Sequence, residues 1–200
     1  LLRDVFGVVD TGKHAKRIIK SGEVLVDGKP RKDQKYSAGF MDSVEIPKMK
    51  KSYRIIITKK GLELVEIPAK EKNLKLCKIR GKHILKDGVL QLNLHDGRTV
   101  RVKVKDPKKP KEDVYKTGDS LLIELPSQKI ANHIKMEKGN LVLITGGKNK
   151  GNLATIKEVI TTRSREPNKL ICEKDNKNFE TIKDYVFVVG TKKPVISLGG

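Results

Sequence analysis

The sequence predicts a mainly β chain with a short α-helical N-terminal part, arranged as three small domains. Alternating apolar and polar residues recur from residue 52 onward, punctuated by glycine-containing turns. Helical periodicity is confined to a stretch near the N-terminus. A length of 200 residues accommodates one large domain or two to three small ones. The expected divisions are an α+β domain over 1–50, an all-β domain over 51–126 and a small barrel over 127–200.

The helix is read from Thr11-Gly12-Lys13-His14-Ala15-Lys16-Arg17-Ile18-Ile19-Lys20-Ser21-Gly22. Thr11 can cap its start and Gly22 can end it. At about 100° per residue, Lys13, Lys16, Arg17 and Lys20 share one face, and Ala15, Ile18 and Ile19 lie opposite. An ordinary solvated face interleaves Glu at i+4 positions, and none is present here. Glu23 to Val26 then alternates into the turn pair Asp27-Gly28, with Lys29, Arg31 and Lys32 on the return path. Tyr36 to Ile46 reads as a further strand with a closing turn, and Pro47 to Lys51 as a linker.

Tyr53–Ile57 and Leu62–Ile67 read as strands around a turn at Gly61. Val89–Leu94 and Thr99–Val104 alternate on either side of Asp96-Gly97, which predicts a hairpin with Arg101 and Lys103 on one face and Val100, Val102 and Val104 on the other. Asp106–Lys111 holds two prolines and is expected to be a loop. In the last third, Leu141–Thr145 and Leu153–Ile156 flank the turn Gly146-Gly147-Lys148-Asn149-Lys150-Gly151. Leu170–Cys172 and Tyr185–Val189 would complete the barrel. Glycine brackets the basic turn because the backbone there must reverse sharply or approach another backbone closely.

Lys and Arg total 44 against 24 Asp and Glu, a formal charge of +20. Such a surplus calls for a polyanionic partner, whose condensed counterions are released on binding. No apolar run approaches the roughly 20 residues that span a bilayer, and no long basic amphipathic helix with an aromatic stripe is visible. Nucleic acid is the better partner. With aromatics at 4% and no Trp, stacking of successive bases is disfavoured, so grip through phosphate and shape is expected. Cys77 and Cys172, far apart in apolar stretches, read as buried reduced thiols of a cytosolic protein. No signal peptide is visible, and Leu1 to Phe6 reads as the middle of a helix, so an N-terminal segment is expected to precede it.

Nothing points to catalysis. The loop from Gly146 to Gly151 lacks the Gly-Lys-Ser/Thr ending and following helix of a P-loop. His14, His83, His95 and His133 are dispersed without partners at zinc-ligand spacing, so surface or core histidines are expected over metal ligands, with assembly through long-range contacts left open. No serine sits in a nucleophile elbow, and Asp96 and Asp119 lie beside glycines in turns, where a structural role suffices.

Three segments in order resemble one family. Thr11–Pro30 is similar to the S4-type RNA-binding domain, and Gly139–Ile156 resembles a KOW motif. Between them, Leu90-Gln91-Leu92-Asn93-Leu94-His95-Asp96-Gly97-Arg98-Thr99 resembles the distinctive run of the S-four-e family of small-subunit ribosomal proteins, found in archaea and eukaryotes. Further similar pieces are Gly39–Val44, Lys75–Lys78, Ile134–Asn140 and Val186–Gly190. The resemblance implies an S4-type α+β domain, a family-specific all-β domain and an SH3-like KOW barrel. It also implies a cytoplasmic, ribosome-bound structural protein without enzymatic activity or cofactor. Its partners would be small-subunit ribosomal RNA and neighbouring ribosomal proteins, with no membrane and no small-molecule substrate, and a monomer off the ribosome. The resemblance maps RNA contacts to Lys13, Lys16, Arg17 and Lys20 and to Lys148, Asn149 and Lys150; Arg3, Lys29, Arg31 and Lys32 are further candidate RNA-binding cations by charge, with Gly28, Gly97 and Gly151 as structural turns.

The sequence departs from the family pattern in places. The usual basic segment before the first domain and the short basic tail after Gly200 are not present in the chain. Ala154 replaces a usual glycine and Asn152 a usual basic residue. Two alternatives stand beside the ribosomal reading. A KOW-containing regulatory factor would need a mixed α/β polymerase-binding domain, which residues 52–126 do not resemble. An S4-type enzyme would need a catalytic domain of roughly 150 residues or more, for which there is no room.

Overall fold

The computed structural model describes residues 11–86, 88–104, 112–161 and 166–199. It divides into two compact units, one built from Leu1–Lys75, Glu124–Ser127 and Ile196–Gly200, the other from Leu76–Ile123 and Gln128–Val195. Arg3 and the expected loop Asp106–Lys111 lie outside the described residues.

In the first unit, helix α1 (Gly12–Lys20) precedes strands β1 (Leu25–Val26), β2 (Lys29–Pro30), β3 (Ser43–Ile46), β4 (Lys51–Thr58) and β5 (Gly61–Glu66). The strands form an antiparallel sheet in the order β2-β1-β3-β4-β5. Ala15, Ile18 and Ile19 of α1 pack against Val24, Val26, Val44, Ile46 and Ile55, so one apolar face of the helix closes the core. Asp27 (φ 52°) and Gly28 (φ 72°) make the tight β1–β2 turn, a conformation that suits Gly and Asp.

The sheet continues through residue 50: β3 pairs with β4 from Ile46↔Lys51 to Ser43↔Arg54. β4 and β5, assigned by sequence to the central domain, therefore complete the first sheet. Of the strand expected over Tyr36 to Ile46, only Ser43–Ile46 is extended. The preceding residues loop instead, because the Asp42 carboxylate accepts the Gly39 N–H at 2.8 Å and Met41 takes a left-handed φ of 68°. The expected linker contains a single 3-10 turn at Pro47–Met49.

The remaining strands are β6 (Leu74–Ile84), β7 (Val89–Leu94), β8 (Thr99–Lys103), β9 (Ser120–Glu124), β10 (Ile130–Ile134), β11 (Leu141–Ile144), β12 (Leu153–Ile160), β13 (Lys169–Lys174), β14 (Lys177–Ile182) and β15 (Val186–Gly190). They form two five-stranded antiparallel sheets, β10-β9-β6-β7-β8 and β14-β13-β12-β11-β15. The β7–β8 hairpin follows its alternation: Leu90, Leu92, Leu94 and Val100 are buried, Arg101 and Lys103 exposed, and Gly97 sits at φ 83°. Strand β10 pairs with β9, so the central sheet extends past residue 126. The last sheet buries Val142, Ile144, Ile156, Leu170, Val186 and Val188.

Candidate nucleic-acid interface

Helix α1 sets out the first basic surface. The Thr11 hydroxyl accepts the His14 N–H at 3.2 Å, capping the start. Ser21 closes the helix by donating its N–H to Arg17 O, and Gly22 reverses the chain at φ 79°. Lys13, Lys16, Arg17 and Lys20 are all exposed, and the first turn holds no acidic residue. The opposite face is pinned by Ala15, Ile18 and Ile19, each half-buried and contributing on the order of 1 kcal/mol through apolar burial. Core packing thus dictates which way the cations point.

The return path adds to this surface unevenly. Lys29 and Lys32 are exposed. A Cβ placed on Gly22 would meet Lys32 Cε at 3.3 Å, so the Lys32 stem crosses the chain reversal at the end of α1. Arg31 behaves differently: it is half-buried, its guanidinium lies 4.2 Å over the Tyr36 ring, and its backbone N–H donates to Val24 O at 3.0 Å. Lys48 bonds Glu23 at 2.7 Å and thereby holds that carboxyl below its ordinary range.

Beneath the surface lies a charged network that sequence reading missed. Lys75 Nζ is 2.8 Å from Asp27 Oδ2 and 2.5 Å from Asp42 Oδ1, all three residues being buried. Asp27 Oδ1 also accepts the Ser43 N–H at 3.0 Å. Burial works against the Lys75 charge, but the two carboxylates outweigh it and hold the ammonium above its ordinary range. The same Asp27 that turns the β1–β2 hairpin therefore ties it to β3 and to Lys75. Arg54, also buried, bonds Glu71 at 3.0 Å and Leu74 O at 2.7 Å.

In the second unit the basic turn closes through Gly151 N–H to Ile144 O at 2.7 Å and Ile144 N–H to Asn152 O at 2.9 Å. Gly151 takes φ 79°, and the turn leads into β12, not a helix. The Tyr185 ring covers the start of the turn so closely that a Cβ on Gly146 would fall 2.8 Å from it. Lys148 is exposed, while Asn149 and Lys150 are half-buried. Ala154 is buried in β12 and pairs with Val142. Where a cation was expected, Asn152 accepts from Lys174 Nζ at 2.9 Å, so β13 delivers a lysine beside the turn. Asp175 and Asn176, both at positive φ, turn the hairpin that pairs Lys174 with Lys177.

Of the dispersed histidines, His95 is brought within 4.8 Å of Cys77 and Asp96 at their ligand atoms. These groups already bond locally: the Cys77 thiol donates to Asp96 at 3.7 Å, Arg98 Nε lies 3.3 Å from Asp96, and the Lys78 N–H donates to His95 Nδ1 at 3.2 Å. The trio reads as a brace for the β7–β8 turn. Lys78 itself is buried and donates to Lys183 O and Asp184 O at 3.2 and 2.9 Å, and burial pushes its amine down to about 8. Both cysteines are buried, and burial raises the Cys172 thiol to about 11. Among the described residues no helix is long and apolar enough to cross a membrane.

Comparison with known proteins gives one answer. Residues 7–44 match the S4 domain, 49–130 the ribosomal family S4e and 138–173 the KOW motif. The small ribosomal subunit protein eS4 of Methanocaldococcus jannaschii is 47% identical over 199 residues, covering 99% of this chain and 81% of the relative. That of Methanococcus aeolicus is 44% identical with the same coverage. The crystal structure of the 30S ribosomal protein S4e from Thermoplasma acidophilum superposes with a TM-score of 0.78 at 33% identity, covering 95% of this chain and 92% of that one. The order of domains, the mostly β architecture and identity over nearly all of this chain agree, and the chain belongs to the ribosomal family S4e.

Proposed function

We propose that this chain is a structural constituent of the small ribosomal subunit that holds folded 16S-type ribosomal RNA by its phosphate backbone. The observation that carries the contact assignment is α1: four exposed cations, Lys13, Lys16, Arg17 and Lys20, stand on a face held outward by a packed apolar face. Lys29 and Lys32 extend that surface, and Arg31 supports it from its place over Tyr36. A second contact is the turn of Lys148, Asn149 and Lys150. Backbone contacts of this kind position a protein on RNA without reading sequence.

Along the chain, the first RNA-gripping segment over 1–50 draws β4 and β5 into its sheet, the rest of the 51–126 segment acts as a spacer, and a second gripping segment spans 127–200. Gly28, Gly97 and Gly151 hold the turns on which these segments depend. The protein works on the ribosome in the cytoplasm beside neighbouring ribosomal proteins, as a monomer when off it. It carries out no reaction and takes no cofactor or small-molecule substrate.

Charge reversal of Lys16 and Arg17 to Glu tests the first contact. Binding to small-subunit rRNA should fall at least tenfold at about 0.1 M salt while thermal unfolding is unchanged, because both side chains are exposed. Unchanged affinity would remove α1 from the interface.

A further inference from the structure

Strand β4 outruns the sheet that supports it. β3 accompanies β4 only as far as Arg54, and the last bonds from that side are Met41 N–H to Ile55 O at 2.8 Å and Ile55 N–H to Asp42 O at 3.0 Å. Beyond this point, among the described residues, Ile56–Thr58 of β4 pair with β5 alone, through Ile56↔Glu63, Ile57↔Leu62 and Thr58↔Gly61. A two-stranded ribbon gains little stability by itself in water. Its end also carries what a fold would ordinarily avoid. Leu62 is 57% exposed, the largest exposure among the described large hydrophobic residues. Lys59 and Lys60 occupy the two-residue turn, both exposed. Among the described residues neither ammonium has an ion pair or hydrogen bond. Glu63, half-buried, is the single carboxylate within residues 56–63.

We propose that the tip of the β4–β5 hairpin is a further RNA contact, distinct from α1 and the basic turn. Lys59 and Lys60 grip phosphates of duplex rRNA, and Leu62 lies against the ribose face beside them. The wide, shallow minor groove of A-form RNA, lined by sugars and flanked by phosphates, suits a narrow ribbon with this charge and one apolar side chain. A protein partner fits less well, because two adjacent unpaired lysines would have to be desolvated or matched. This inference rests on the RNA-binding role above and adds a surface to it.

The test compares the parent chain, Lys59→Ala/Lys60→Ala, Leu62→Ser and Lys16→Glu/Arg17→Glu, each binding small-subunit rRNA across a salt series. The substituted hairpin residues are exposed, so folding should be retained, and circular dichroism checks it. Losing two phosphate contacts should flatten the log–log salt slope by about 1.4 to 1.8. Between about 50 and 200 mM salt the double-alanine variant should then lose roughly tenfold less affinity than the parent. Leu62→Ser should weaken binding and leave the slope unchanged. An unaltered slope in the double-alanine variant, with the parent and helix variant behaving as expected, overturns the hairpin contact alone. Failure of the parent to bind rRNA overturns the RNA-binding role itself. Intact RNA binding with lost incorporation into subunits assigns the tip to a protein neighbour and also overturns the proposal.

Discussion

Replacing Lys75 with Met removes the cation from a buried site that holds two carboxylates. Its side chain is 2% exposed, and Asp27 and Asp42 are 4% and 10% exposed at their side chains. With the ammonium gone, two acidic groups remain in a place that water barely reaches, and Asp27 still bonds Ser43 N–H. Breaking a buried ion pair from one side costs about 3–5 kcal/mol, most of it the desolvation of the charge left behind. For a chain of this size that corresponds to a fall in melting temperature of very roughly 6–20 °C. Because the chain has two compact units, a single melting curve can mix their transitions. Native-state hydrogen exchange at the Ser43 and Asp27 amides reads the first unit directly. Protection there should drop by at least a hundredfold. Adding Asp27→Asn and Asp42→Asn to Lys75→Met should recover part of the loss by removing the carboxylate charges left without the Lys75 ammonium. A loss below about 1 kcal/mol would refute the reasoning, since it would mean the carboxylates are solvated or already neutral.

Two further outcomes are expected. Lys78, pushed down to about 8 in the folded chain against about 10.4 when unfolded, lets the unfolded state bind more protons between those values. Stability should therefore rise by up to about 3 kcal/mol as pH goes from about 8 to 10.4, and Lys78→Met should abolish that share of the rise in urea titrations. A Gly151→Val change forces a β-branched residue to φ 79° and should cost about 1–2 kcal/mol or more; equal urea midpoints for the two proteins would contradict it.

Part of this fold was legible in the sequence because local pattern and tertiary demand agreed. In α1 the helical period, the Thr11 cap and the apolar face all point the same way, and the β7–β8 hairpin has both alternation and a turn glycine. Strand β6 was hidden because it buries Lys75 and Lys78, and partners such as Asp27 and Asp184 lie far away in the chain. The edge strand β14 has no buried residue, so its charged positions look like loop. The end of the first sheet could not be placed for a similar reason: Pro47 reads as a linker, whereas a single 3-10 turn returns the chain to pair beside β3. At the candidate interface the exposed lysines were readable from helical phase. The stacking of Arg31 on Tyr36 and the approach of Lys174 to Asn152 depend on chain crossings that no local pattern encodes.

The ribosomal role is tested most directly by cosedimentation of the protein with 30S subunits through washes of increasing salt. Retention in the 30S peak at roughly 0.5 M salt, in about one copy per subunit, is the expected result, since purely nonspecific phosphate binding collapses well below that concentration. Release into the free fraction at low salt would contradict it.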